Sequence, residues 1–244
     1  MIILEQLQRT FRVGDSSVHA LRDLDLSISD GEYLAVMGPS GSGKTTLLNI
    51  LGLLDRPDAG HYRLGDLETA ELPEEQRARL RREHIGFVFQ AFHLVPRLSA
   101  AENVELPLVL AGMDPARRRR KVAAILDTLG LANRAHHLPD QLSGGQRQRV
   151  AIARATITEP QLILADEPTG NLDRHSGADV IDALERLNAD GMSLIVVTHD
   201  PAIGGRARRR IQMQDGAIVE DSVGTASAAI AVSPKSPPVA ADSQ

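Results

Sequence analysis

Cysteine and tryptophan are absent from this 244-residue sequence, and only six aromatic residues occur: Phe11, Tyr33, Tyr62, Phe87, Phe89 and Phe92. Without cysteine there is no disulfide framework, no thiolate zinc site and no cysteine nucleophile. Long apolar runs are missing too. The stretch from Leu47 to Leu54 is interrupted by Asn49 and falls far short of the ~18 residues of a spanning helix. Residues 1–10 lack a basic start followed by an apolar core, so no secretory signal is read and a cytoplasmic location is expected. Lysine is the scarcest of the common charges. Of 27 basic residues only Lys44, Lys121 and Lys235 are lysine. A formal net charge of −5 argues against a general nucleic-acid binder, and no nucleic-acid partner is expected.

What is present is an ordinary globular composition, 42% hydrophobic and 24% charged, long enough to bury a sizeable core. Near the N-terminus, Leu24, Leu26 and Ile28 alternate with polar residues at the period of a half-buried strand. Tyr33 to Met37 is a short apolar run, followed by a glycine-rich loop and a helical pattern from Lys44 to about Leu53. Arginine-rich segments near 74–83 and 115–130 read as helices, with Pro96 and Pro107 breaking the ground between them. Gln146 to Ile157 and 176–188 also read as helices. The continuous apolar runs Leu162–Ala165 and Leu194–Val197 predict strands of a parallel sheet covered on both faces. Around Asp215-Gly216 a hairpin is predicted, and beyond Gly224 the Ala/Ser/Val/Pro composition predicts a disordered tail over 224–244.

The loop after the first apolar run reads Gly38-Pro39-Ser40-Gly41-Ser42-Gly43-Lys44-Thr45, with Thr46 following, a complete G-x-x-x-x-G-K-[ST] phosphate loop. Its glycines let successive backbone N–H groups turn inward on phosphate oxygens, and the next helix adds its positive end. Lys44 supplies a compact ammonium for the β- and γ-phosphates, and the Thr45 hydroxyl suits Mg²⁺. Arginine, a planar fork, is a poor substitute in that cradle. The expected ligands are therefore ATP and Mg²⁺. The run Leu162–Ala165 ends in Asp166 and Glu167, which a buried strand places at its carboxyl edge, where open α/β sheets bind ligands. Asp166 is assigned to the metal shell, and Glu167 to the role of general base. His199 ends the neighbouring apolar run on the same expected edge and is assigned a γ-phosphate contact.

A second anion-binding pattern follows a different logic. Leu142-Ser143-Gly144-Gly145-Gln146 opens a helix, so it too offers N–H groups and a helix dipole. One nucleotide does not need two such sites in one chain; two chains arranged head to tail use both. With this motif the sequence resembles the nucleotide-binding subunit of an ABC transporter, over roughly residues 2–221. The resemblance implies roles residue by residue. Phe11 corresponds to the aromatic that stacks on adenine, although ordinary core packing is the competing reading. Gln90, after Phe87-Val88-Phe89, corresponds to the glutamine that couples Mg²⁺ and the γ-phosphate to the membrane partner. Ser143 and Gly145 correspond to contacts with the other subunit's nucleotide, with Gly144 and Gln146 in the same motif. Asp173 belongs to the loop that communicates across the dimer, and His199 corresponds to the switch histidine.

The fold implied is α/β: a P-loop NTPase core with a mixed sheet, an N-terminal antiparallel β subdomain and an inserted α-helical subdomain over about 91–158. The ATPase domain is placed at 1–223. Residues 89–96, Glu102-Asn103-Val104 and 169–173 resemble the lipoprotein-releasing and macrolide-export branch, which pairs with permeases of few helices and a large extracytoplasmic domain. The expectation is a separate ATPase subunit, peripheral on the inner face of the cell membrane, forming a homodimer on ATP. The implied task is export or extraction of a lipoprotein, peptide or drug.

Three other readings compete. An ABC-type ATPase acting on DNA or ribosomes is disfavoured because the sequence has no long coiled coil, zinc cluster or tandem ATPase half. A P-loop kinase or GTPase lacks the Leu-Ser-Gly-Gly-Gln motif. A non-enzymatic regulatory module is disfavoured by the presence of both Glu167 and His199. The basic runs at Arg117–Lys121, Arg206 and Arg208–Arg210 read as solvated faces rather than binding patches.

Overall fold

The computed structural model describes residues 1–14 and 16–223; the predicted tail over 224–244 lies outside the described residues. The chain begins with a long antiparallel hairpin, β1 (Ile2–Val13) and β2 (Ser16–Ile28). The alternation read in the sequence holds, with Leu24, Leu26 and Ile28 buried and the intervening positions exposed. Then come β3 (Tyr33–Met37), α1 (Lys44–Leu51), and the short strands β4 (Ala59–Leu64) and β5 (Leu67–Glu68). These short strands complete a four-stranded sheet in the order β2-β1-β4-β5. After α2 (Glu74–His84) and β6 (Ile85–Phe89), three helices follow: α3 (Ala100–Leu110), α4 (Pro115–Thr128) and α5 (Gly144–Thr156). The chain then alternates β7 (Leu162–Asp166), α6 (Arg174–Ala189), β8 (Ser193–Val197) and the short α7 (Pro201–Gly204). The hairpin β9 (Arg209–Gln214) and β10 (Ala217–Val223) closes the described chain.

The second sheet has six strands in the order β10-β9-β3-β8-β7-β6. β9, β3, β8, β7 and β6 are parallel neighbours, and β10 is antiparallel on the edge, so the sheet is mixed. Its central strands are apolar on both faces because both faces are covered. Leu34, Val36, Leu164, Ile195 and Val197 point toward α1 and the antiparallel sheet, sharing a core with Leu4, Leu24 and Leu47. Ala35, Ile163, Ala165 and Val196 point the other way, onto Ile152 of α5 and Val180, Ile181 and Leu184 of α6. α1 thus sits between two sheets with Leu47, Leu48, Ile50 and Leu51 buried. A third core joins α3, α4 and α5 through Val104, Leu108, Val122, Leu126 and Val150.

Two elements depart from the sequence reading. Pro107 does not break the chain: α3 runs through it. The lost N–H removes one helix bond, but other groups stabilise the turn. Ser99 and Glu102 form a reciprocal capping box, and buried Val104 and Leu108 dock the helix. Asn103, fully buried, fastens the preceding loop by donating to the carbonyls of Leu98 (2.9 Å) and Ser99 (3.0 Å) and accepting from Val95 N–H (2.8 Å). β6 is not among the strands expected above; Ile85 to Phe89 is fixed as one by pairing with Leu162 to Asp166. Among the described residues no helix is long and apolar enough to cross a membrane.

Candidate nucleotide-binding and hydrolysis site

The phosphate loop leaves β3 at its carboxyl end and enters α1. Two glycines are required by packing as well as by backbone angle. A side chain at Gly38 (φ 148°) would meet the carbonyl oxygen of Met213 at 2.2 Å, and one at Gly43 (φ 99°) the carbonyl of Ala20 at 2.3 Å. The loop is therefore pressed between β9 and β2, which fixes its curl. Gly43 is the N-cap of α1 and no side chain caps that helix, so its first N–H groups are left for an anion. Lys44 donates from Nζ to the carbonyls of Gly38 and Pro39, both at 2.8 Å. An ammonium has three donors, so one remains for a phosphate oxygen. Burial lowers the Lys44 pKa, opposed by the charges of Glu167 and Asp166.

The acids arrive from β7. Asp166 lies in register with Phe89 of β6 and Val197 of β8. Burial and the neighbouring charge of Glu167 push the Asp166 carboxyl above its ordinary range, partly offset by Lys44. Glu167 is held at a positive φ of 45° by two backbone bonds: its N–H donates to Val197 O (2.9 Å), and its carbonyl accepts from Gly170 N–H (3.0 Å). That backbone region is costly for a non-glycine residue and persists only where the surroundings fix it. Its Oε1 accepts from His199 N–H (3.1 Å) and lies 2.7 Å from His199 Nδ1, while Thr198 Oγ1 is 3.5 Å from Oε2. The hydrogen bond and charge of Glu167 raise the His199 pKa. The histidine ring itself is largely exposed.

A cavity of about 360 Å³ joins these parts: Ser40, Gly41, Gly43, Lys44, Thr45 and Thr46 from the loop, Asp166 and Glu167 from β7 and its end, and Val18, Ala20 and Val197 beside them. Gly38, Pro39 and Ser42 complete the loop behind it. A larger cavity, about 810 Å³, opens where Leu162 and Ser193 begin β7 and β8 and Ile28 and Leu64 end β2 and β4; it holds none of the phosphate-loop residues and neither Asp166 nor Glu167. The small cavity is where the chemistry converges.

The remaining expected site residues do not line it. Gln90 pairs with the turn after Glu167: its Nε2 donates to Asn171 Oδ1 (3.3 Å), and Asn171 Nδ2 donates to the Gln90 carbonyl (3.0 Å). A side chain at Gly170 would strike Gln90 Nε2 at 2.6 Å, so the glutamine lies directly on that backbone. Ser143 caps α5, accepting from Gln146 N–H (3.3 Å), while its own N–H donates to Gln146 Oε1 (3.0 Å). Cβ atoms at Gly144 and Gly145 would stand 3.0 Å from Leu172 Cδ2 and from Ser176 Cβ, so the motif packs on the start of α6. Asp173 caps α6, accepting from His175 and Ser176 N–H, each at 3.0 Å. Residues 170–176 thus form one seam touching both Gln90 and the Ser143 turn. Phe11, 37% exposed, sits on β1 directly across from Val18, with the Arg9 guanidinium 4.7 Å from its ring centre.

Several contributors escaped the sequence reading. Thr198, Val18 and Ala20 carry no motif. Arg154 of α5 donates to the carbonyls of His93 (2.6 Å) and Phe92 (2.9 Å), and Gln148 donates to the Phe89 carbonyl (3.3 Å), so α5 pins the segment around Gln90. Several cations of the runs expected as solvated faces are paired: Arg118 with Glu105 (2.8 Å), Lys121 with Glu159 (2.6 Å), and two arginines near the end of the described chain. Arg206 binds Glu185 and Asp182, and Arg209 binds Asp221 and Glu32. Carboxylates brought close by α3, α6, β10, the turn before β3 and the segment after α5 account for the difference.

A parallel strand, a glycine-rich loop capping a helix, and acids at the carboxyl end of a neighbouring strand define a P-loop NTPase. The chain belongs to the ABC transporter family, whose sequence profile, described as "ABC transporter", matches residues 21–170, and it is an ATPase. It is 55% identical over 221 residues to the macrolide export ATP-binding/permease protein MacB of Burkholderia thailandensis, covering 91% of this chain and 34% of that protein. It is 52% identical over 231 residues to the protein of the same name from Rhodopseudomonas palustris (strain BisB18), covering 94% and 35%. The chain therefore spans about a third of the length of these curated relatives. The ATP-binding cassette MJ0796, solved as a dimer in a post-hydrolysis state with ADP and Pi, superimposes with a TM-score of 0.85. It is 42% identical, and the match covers 91% of this chain and 98% of that one.

Proposed function

We propose that two copies of this chain close head to tail on two ATP molecules and hydrolyse them to drive a membrane permease. One observation carries the reading: Ser143 and its glycines form a second helix N-terminus that does not line the cavity of their own chain, where Lys44 and Glu167 converge. A site split in this way is completed by a second copy, and the dimeric form of the MJ0796 cassette supports it.

Within each closed site the residues have separable tasks. The loop N–H groups and the free donor of Lys44 bind the β- and γ-phosphates. Glu167 Oε1 orients the attacking water and takes its proton; the contact with His199 holds that carboxylate in place. His199 and Ser143 from the second copy stabilise charge on the transferring phosphoryl group. The metal shell is assigned to Thr45, Asp166 and Gln90, with Mg²⁺ supplying charge neutralisation at the phosphates. The donor set fits: a hydroxyl, a carboxylate and an amide oxygen are hard ligands. Among the described residues no cluster of three or more His, Asp or Glu forms an all-protein cage, which suits a cation bound chiefly through substrate oxygens. Gln90 joins only by releasing Asn171.

The permease is assigned to the groove of about 340 Å³ between β6 and α3, lined by Phe87, Phe89, Leu106, Pro107 and Leu110. Leu110 is 74% exposed at its rim. On this reading the chain works on the inner face of the cell membrane. The branch resemblance and the export relatives favour a permease of few helices with a large extracytoplasmic domain, moving a macrolide-like drug, peptide or lipoprotein outward. Glu167→Gln tests the reading. Hydrolysis is expected to fall about a hundredfold or more while ATP still binds and drives dimer formation in size-exclusion chromatography. Undiminished hydrolysis, or no ATP-dependent dimer, overturns it.

A further inference from the structure

The geometry points to Arg9 as a positioning residue for nucleotide-base recognition, one that holds the Phe11 ring as a one-sided stacking platform. The inference rests on the reading of Phe11 as the adenine partner. The guanidinium of Arg9 is bound along its edge by two carboxylates. Nε and Nη2 donate to Asp55 Oδ2 (3.0 Å) and Oδ1 (2.9 Å), a bidentate pair, and Nη1 donates to Asp58 Oδ1 (2.6 Å). Asp58 also accepts from Thr10 N–H through Oδ2 (2.6 Å), which ties the same acid to the strand beside the ring. With its edge occupied, the planar cation offers only its face, and that face lies against Phe11 with Cζ 4.7 Å from the ring centre.

An exposed phenylalanine on a strand otherwise samples several rotamers. Here a fixed cation covers one side of the ring, and Phe11 remains 37% exposed, leaving room for a second partner. Phe11 is directly opposite Val18 in the antiparallel register, so the two side chains share a sheet face. Val18, 51% exposed, lines the phosphate cavity. The platform therefore borders the place where the sugar and base of a bound nucleotide must lie. Two aspartates offset the charge of Arg9, so a neutral base meets no unbalanced cation. Arg9 touches neither the phosphate loop nor the acids of β7; it acts through Phe11.

The test is calorimetric titration of the full chain with two probes, ATP and inorganic tripolyphosphate, which carries the same phosphates without a base. Arg9→Met, Phe11→Ala and the double variant are compared, with Arg9→Lys in reserve should the methionine variant fail to fold. Arg9→Met is expected to weaken ATP about two- to fivefold, the worth of an exposed cation–π contact, and to leave tripolyphosphate unchanged. Phe11→Ala is expected to cost about fivefold or more for ATP alone. In the Phe11→Ala background, loss of Arg9 is expected to add nothing. Equal losses for both probes, or additive losses in the double variant, reduce Arg9 to a structural residue and overturn the proposal. If Phe11→Ala weakens ATP and Arg9→Met does not, the role of Arg9 alone fails. If Phe11→Ala leaves ATP affinity unchanged, the adenine reading itself is wrong.

Discussion

The two helix N-termini of this chain that carry anion-binding motifs are prepared in opposite ways. At α1 the cap is a glycine, no side chain claims the first N–H groups, and a lysine and two acids converge on the space in front. At α5 the cap is Ser143, whose hydroxyl is already engaged by Gln146, and the glycines lean on Leu172 and Ser176. The first site is assembled within a single chain, whereas the second is a tidy helix end with nothing of its own to grip. On the proposed reading, the same motif chemistry serves as a binding site in one place and, in the other, as a surface brought to a nucleotide held by a second copy.

The sharpest way to break the contrast is at Lys44. Lys44→Met removes the donor shared among Gly38, Pro39 and the phosphates, and ATP affinity measured by calorimetry is expected to drop at least a hundredfold, with hydrolysis lost alongside. A variant that binds ATP as tightly as the parent removes the α1 site from the argued role. Ser143→Ala probes the other end. Because that hydroxyl lies outside its own chain's cavity, ATP affinity at low protein concentration is expected to stay within twofold. Turnover at high concentration should fall by roughly tenfold to a hundredfold. Equal loss of affinity and turnover would mean that the two ends serve the same chain.

The smallest effect concerns the seam at the start of α6. Hydrogen bonds from Ser176 backbone and side chain, and from His175, hold the Asp173 carboxyl below its ordinary range. A depressed folded-state value means that the carboxylate stabilises the fold above the unfolded pKa, and that this contribution fades as pH falls through the folded value. Asp173→Asn is expected to lower the melting temperature by a few degrees at pH 7 and to match the parent more closely below about pH 4. Parallel melting curves across that range would show that the cap does not titrate with folding.

Much of the nucleotide site was legible in sequence because its chemistry is local. The loop residues are consecutive, and Asp166 and Glu167 end an apolar run whose burial can be read from its composition. The fold core was legible for the same reason: strands apolar on both faces announce a covered parallel sheet. What was hidden depends on distance along the chain. Arg9 meets Asp55 and Asp58 across 46 and 49 positions, and Gln90 meets Asn171 across 81. Helix α3 was obscured by Pro107, although Ser99-x-x-Glu102 carried the capping signal. The arginine excess also took on meaning only in three dimensions. Arg77 donates from Nη2 to the carbonyls of Leu53 and Asp55 and from Nη1 to Glu74, and Arg154 spans the carbonyls of Phe92 and His93 with its two terminal nitrogens, where a lysine presents a point. Lys44, where a compact cation is required, remained lysine.

The bond from Glu167 N–H to the Val197 carbonyl makes the neighbouring strand a ruler for the Glu167–His199 pair. Glu167 and His199 stand just past the ends of adjacent strands, so their separation is set chiefly by the constant spacing of a hydrogen-bonded sheet rather than by loop length. Surface loops around the site are then free to lengthen or shorten without detuning the pair. Changes that twist the sheet between β7 and β8, however remote, alter the Glu167–His199 geometry directly, and with it the proposed hydrolysis step.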